Sequence, residues 1–162
     1  SSNRILQSQR RDEQRSIALG FEKELEIHQE WFSQISGEYR EAVLPKIAEL
    51  AQRPLITTNS LYYVLRKEMF RLNSTIVDGL LTYYSHLHAA DEERKRLYGR
   101  VKNASGATMP SNPDIIKPCE NIAASLEAAA AMIPDLLERL STDMMKEKEK
   151  GLRARLTDLL SG

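Results

Sequence analysis

Residues 113–140 read PDIIKPCENIAASLEAAAAMIPDLLERL. Ile115, Cys119, Ile122, Leu126, Ala129, Ile133, Leu136 and Leu140 recur in steps of four and three. That spacing gathers side chains onto one face of an α-helix. Asn112 and Pro113 stand at the start as a cap and a first helical residue, where a missing N–H removes no intrahelical bond. Pro134 removes the bond to Ala130 and predicts a bend.

Two further seams of the same kind come before it. Ala18, Phe21, Leu25, His28, Phe32, Ile35 and Tyr39 form one, and Ile76, Leu80, Tyr83, Leu87, Ala90, Arg94, Leu97 and Val101 form the other, in which only Arg94 is polar. Gly37 and Pro45 bracket the region where the first helix ends or kinks. A short helix over 45–52 follows. Arg53-Pro54 and Thr57-Thr58-Asn59 mark a loop, and Asn59 or Ser60 caps a second short helix carrying Leu61, Tyr62, Leu65 and Met69. Asn73-Ser74 opens the next long helix. No alternating β-branched run and no Asn-Gly or Asp-Gly turn appears.

These patterns predict an all-α fold, an up-and-down helical bundle of three long helices with a short helical pair between the first two. Residues 1–162 read as a single helical domain. Within it, 1–16 is an exposed basic helical extension, 103–113 a long loop, and 145–162 a charged tail with a short terminal helix.

Composition narrows the function classes. Hydrophobic residues at 41% and charged residues at 28% are ordinary for a folded domain of 162 residues. Twenty-three Lys and Arg balance 23 Asp and Glu, so no domain-wide positive field draws in a phosphate backbone, and no nucleic-acid partner is expected. The single cysteine, Cys119, excludes an intrachain disulfide and any multi-cysteine metal site. It sits on a seam between Ile115 and Ile122, where a thiol acts as a small buried hydrophobe.

Chemical apparatus is sparse. His86 and His88 are two apart and point to different sides of a helix, while His88 with Glu92 and Glu24 with His28 each offer two ligands and no third. His28 lies on a seam, where its ring is expected to be partly buried and hydrogen-bonded. Nucleophile elbows, phosphate-cradling loops, dinucleotide fingerprints and zinc-protease helices are missing from the sequence. The reading therefore assigns no catalytic residue, no metal ligand and no cofactor.

Two surface features stand out instead. Tyr62-Tyr63, Tyr83-Tyr84 and Trp31-Phe32 are adjacent aromatic pairs in which one member faces the core and the other points aside. Tyr62, Tyr63, Tyr83, Tyr84 and Trp31 are thus candidates for a partner or ligand patch, against the plainer reading that they complete the core. Arg94, Lys95, Arg96, Arg100 and Lys102 trail Asp91, Glu92 and Glu93, an order that complements the helix dipole. Arg4, Arg10, Arg11 and Arg15, opposed only by Asp12 and Glu13, give the chain a basic start and a candidate contact with anionic headgroups.

The run Arg10-Arg11-Asp12-Glu13-Gln14-Arg15, the helix with Ala18, Leu19, Glu22 and Glu24, and the aromatic helix with Leu80, Leu81, Tyr83 and Tyr84 resemble a group of uncharacterised bacterial proteins. That resemblance implies one N-terminal membrane span followed by a cytoplasmic helical domain. The basic start agrees, because basic residues flank the cytoplasmic end of a span, and it predicts about 20 apolar residues upstream of Ser1. The expected function is a non-enzymatic helical interaction domain, the cytoplasmic part of a membrane-tethered protein at the inner membrane, or simply cytoplasmic if untethered. It binds a protein partner or itself as a homo-oligomer, the extension 4–15 having no evident partner within the chain. The alternative is a helical ligand-sensing bundle with a tyrosine-lined pocket.

Overall fold

The fold is that of a computed structural model describing residues 2–56, 61–103 and 112–161, without the side chains of 61, 65 and 143–149. Among these residues the chain is all-helical and has no strand. Helix α1 spans Ser2–Glu41, α2 Leu44–Gln52, α3 Leu61–Leu65, a 3-10 turn Met69–Arg71, α4 Ser74–Val101 and α5 Pro113–Ser161. The expected cap at Asn59 or Ser60 and most of the loop 103–113 lie outside the described residues.

The ends of the helices have local causes. Between α1 and α2 the chain turns at Val43, whose backbone is extended, and Pro45 sits in the first turn of α2 where it costs no bond. Asn73 caps α4, its side-chain oxygen accepting the Thr75 N–H at 3.0 Å. Asn112 does the same for α5 through the Asp114 N–H at 2.9 Å, and Asp114 adds a negative charge to the first turn.

Helix α5 departs from the sequence reading. It runs unbroken for 49 residues through Pro118 and Pro134 and onward to Ser161, so the separate terminal helix is in fact its last turns. The charged stretch from Met145 to Lys150 consists of strong helix formers, and the single Gly151 costs only about 1 kcal/mol relative to alanine.

Pairs of residues set the directions. Arg40 grips Glu127 near one end of α1 and Arg4 meets Asp158 at the other, so α1 and α5 are antiparallel. Arg100 donates to the Asp114 carbonyl and Gly79 lies against Leu136, so α4 and α5 are antiparallel too. Helices α1 and α4 therefore point the same way, and the short helices between them bring the chain back.

Small residues bring α5 close to both neighbours. Ala123 and Ala129 are fully buried on its inner face. A Cβ at Gly79 would lie 2.6 Å from Leu136 Cδ2, so this glycine permits the approach of α4. Helices α1 and α4, by contrast, meet mainly through large side chains, with Phe21, Leu25, Phe32, Tyr83, Tyr84 and Leu87 filling the space between them and α5. Each such aliphatic or aromatic side chain contributes roughly 1.5–3 kcal/mol when fully buried.

Candidate functional site

The seams that close this core also carry its polar groups, because Glu24 and His28 are one turn apart on α1 and face Tyr83 and Tyr84 on α4. Tyr84 donates a hydrogen bond to Glu24 Oε2, and the Tyr83 hydroxyl lies 2.6 Å from His28 Nδ1. Tyr62 of α3 stacks on Tyr84 with ring centroids 4.3 Å apart, and its edge meets His88. Phe32 lies 4.7 Å from His28, centroid to centroid, and Trp31 packs beside Phe32.

Burial shifts the protonation of this layer. It lowers the His28 pKa against a smaller opposing pull from Glu24, so the neutral imidazole is favoured. Burial likewise pushes the Tyr83 and Tyr84 phenols far above their usual range, with the Glu24 charge adding to the effect. Both hydroxyls therefore stay protonated and act as hydrogen-bonding struts.

Tyr83 and Tyr84 are both fully buried, which corrects the expected division of that pair into a core member and an outward one. Helix α4 is covered by α5 on one side and by α1 and the short helices on another, so neighbours about 100° apart on the helix both find partners. Tyr62, Tyr63 and Trp31 are half-buried against the core. Three described clefts are lined by other residues, and no tyrosine of this layer lines any of them.

A second buried polar group explains Arg94, the one polar residue on its seam. Its Nε donates to Asp91 Oδ1 at 2.7 Å and its Nη1 to the Ala51 carbonyl at 2.7 Å. Asp91 Oδ1 also accepts the Leu55 N–H at 2.9 Å. The guanidinium thus satisfies an orphan carbonyl in the last turn of α2, where the helix dipole favours a cation, and pins α2 to α4. Three more of that basic cluster are likewise engaged within the chain: Lys95 pairs with Glu92, Arg96 with Glu93, and Arg100 holds the first turn of α5.

Cys119 is buried and its thiol pKa is raised to about 11 by burial, so it stays protonated and unreactive at neutral pH. It lines a cleft of about 190 Å³ with Tyr39 and Ile47. The buried Tyr39 hydroxyl has no hydrogen-bond partner. No group of three or more His, Cys, Asp or Glu side chains able to hold a metal occurs among the described residues.

The remaining feature lies at the far end of α1 and α5. The extension 2–16 is exposed or nearly so, and it has a companion in the chain after all. Arg4 pairs with Asp158, Arg71 reaches Glu13, and Gln14 donates to the Arg71 carbonyl. A cleft of about 430 Å³ separates the two helices, lined by Arg4, Arg11, Arg15 and Arg155 together with Asp12, Asp158 and smaller residues. Leu152, Leu156, Leu159 and Leu160 are exposed on α5, Leu159 at 78% and Leu160 at 88%, and Ile5 and Leu6 are exposed on α1.

These features define an all-helical protein whose buried polar groups hold helices together and whose paired helix ends expose Ile5, Leu6, Leu152, Leu156, Leu159 and Leu160, with Leu19, Ile27, Val64, Phe70 and Leu81 exposed elsewhere. The chain matches no known family, no characterised protein and no solved structure. The resemblance to bacterial proteins with an N-terminal membrane span is therefore overturned as an assignment. Among the described residues no helix is long and apolar enough to cross a membrane.

Proposed function

We propose that this chain is a non-enzymatic helical interaction domain that binds another protein through the paired ends of α1 and α5. One observation carries the reading: Leu152, Leu156, Leu159 and Leu160 stand exposed on a helix whose earlier seam residues Ile122, Leu126, Ala129, Ile133, Leu136 and Leu140 are fully or almost fully buried. An isolated exposed leucine is unremarkable, but a run of them on one helix end, unused by the fold, marks a contact surface. The three long helices and the short helical pair act as an up-and-down bundle, with the short pair as the return leg, and serve as the rigid support. A reducing compartment suits the chain, whose lone cysteine is buried. Among the described residues the three clefts are lined by none of Tyr62, Tyr63, Tyr83 or Tyr84, so they lend the ligand-sensing alternative no support.

A photo-activatable cross-linker carried at position 156, with position 138 on the body as the control, tests this in cells that produce the protein. Adducts of defined mass are expected from 156 and not from 138. Equal yields from both positions, or none from 156, would show that the end of α5 is not a contact surface.

A further inference from the structure

The surface at the paired helix ends specifies more than contact, and its charge pattern identifies the kind of partner. Residues 2–16 hold four arginines against Asp12 and Glu13, and residues 150–161 hold Lys150, Arg153 and Arg155 against Asp158. Each arm thus has two more positive than negative charges, in a chain whose net charge is zero. This local basic excess lies beside the exposed leucines.

Leu152, Leu156 and Leu159 follow steps of four and three, which place them on one face of α5 as a coiled-coil type of seam. Arg153 and Arg155 sit on its two flanks. Neither guanidinium enters an ion pair among the described residues, although Arg4 across the cleft is paired with Asp158. Flanking charges choose partners in helical pairing. A second copy docking along this seam would set arginine against arginine, whereas a helix with carboxylates beside its own apolar seam would meet opposite charge on both flanks.

A lipid surface would meet a different pattern. Helices that lie in a membrane interface present a broad apolar face with aromatic anchors, and neither arm contains a Phe, Tyr or Trp. A leucine stripe beside a cleft about 430 Å³ in volume suits a rod-shaped partner better.

We infer that the paired ends of α1 and α5 form a docking site for an acidic amphipathic helix of another protein, leucines taking its apolar seam and Arg153, Arg155 and Arg15 its carboxylates. This rests on the interaction-domain reading and names the partner's chemistry. Binding is strongest at low ionic strength, because charges on an exposed surface are screened by salt.

The test uses the full chain and a labelled synthetic peptide of about three heptads with Leu at the seam positions and Glu on both flanks, compared with the same peptide carrying Lys on the flanks. Glutamate repulsion keeps the first peptide from pairing with itself. Fluorescence anisotropy is expected to show saturable binding of the Glu peptide alone, weakened by added salt. Leu156→Gln and, separately, Arg155→Glu are each expected to weaken it about tenfold or more, with the helical signal and the melting temperature unchanged. Arg153→Glu on the opposite flank is the second variant should either of those melt early.

Failure of the Glu peptide to bind, equal binding of both peptides, or indifference to both charge-reversing variants overturns the proposal. Two alternatives are decided by the same samples. Co-sedimentation with vesicles containing anionic phosphatidylserine, with no peptide binding, makes the surface a membrane contact. A dimer mass in light scattering that Leu156→Gln converts to monomer makes it a self-association face. Either result overturns the acidic-helix proposal while leaving the adduct from position 156 to judge the interaction reading separately.

Discussion

The same two helices are treated differently along their lengths. In the body, α1 and α5 are joined by α4 and the short helices. The core there encloses Phe21, Leu25, Phe32, Tyr84, Leu126 and Ile133, all at most 1% exposed. At the far end α1 and α5 run beside one another with a cleft between them whose lining is mostly arginines, aspartates and small residues, with Leu152 at its edge. A helix needs its apolar stripe covered to gain much from tertiary packing. The body covers it and the ends do not, which divides the molecule into a part that supplies stability and a part whose apolar residues remain available.

The sharpest challenge to this division is to unlock the body from within. Asp91→Ala leaves the Arg94 guanidinium buried without its counter-ion and the Leu55 N–H without its acceptor. Removing one partner of a buried pair costs about 3–5 kcal/mol, and urea unfolding should show a loss of that size. A loss under about 1 kcal/mol would mean that water reaches the pair freely and that α2 is not pinned as described.

The tyrosine layer should be the next most sensitive. Tyr84→Phe keeps the ring stacked on Tyr62 but removes the donor to the buried Glu24, and a destabilisation of about 1–3 kcal/mol is expected in the same assay. An unchanged midpoint would assign the Tyr84–Glu24 hydrogen bond no part in holding α1 to α4.

His28 adds a pH dependence with a definite sign. Its pKa is lowered in the folded protein by burial, so below the ordinary value of 6.5 the unfolded chain binds more protons than the native one. The contribution of the neutral ring is fully present above pH 6.5 and is lost progressively as the pH falls below that value. Thermal melts of the wild type should drop in that window more than those of His28→Gln. Parallel curves would remove His28 as the cause.

The smallest effects belong to the ends. Leu152→Gln, Leu156→Gln and Leu159→Gln combined should shift stability by no more than about 0.5 kcal/mol per site, since glutamine matches leucine in helix propensity and these side chains are exposed. Loss of the Arg4–Asp158 pair through Arg4→Gln should cost at most about 1 kcal/mol, because both groups face solvent. A large destabilisation from either change would erase the contrast between body and ends.

The legible part of this fold is its periodic part. The seams through Ala18, Ile76 and Ile115 advertise their helices because buried positions recur at helical spacing, and the caps at Asn73 and Asn112 are local chemistry. What spacing does not carry is how many neighbours a helix has, and so the burial of both Tyr83 and Tyr84 was not visible in it. Arg94 stood out as the polar member of its seam, yet its partner carbonyl at Ala51 lies 43 residues away and only the tertiary arrangement brings them together. The run from Lys146 to Lys150 reads as a tail because it lacks apolar residues, though its helix propensity is high enough to continue α5. The exposed leucines beyond it read as a short helix, and their position beside the extension 2–16 depends on α5 being unbroken.

The central claim is that stability resides in the body and that the paired ends are held only weakly in the isolated chain. Native-state hydrogen exchange measured amide by amide tests it most directly. Amides of residues 76–101 and 119–140 should exchange only through global unfolding, while those of 4–14 and 152–160 should open at much lower free energy and become protected when the acidic peptide binds. Protection of the ends equal to that of the body in the free protein would contradict the account, since the leucines would then be part of what holds the fold together.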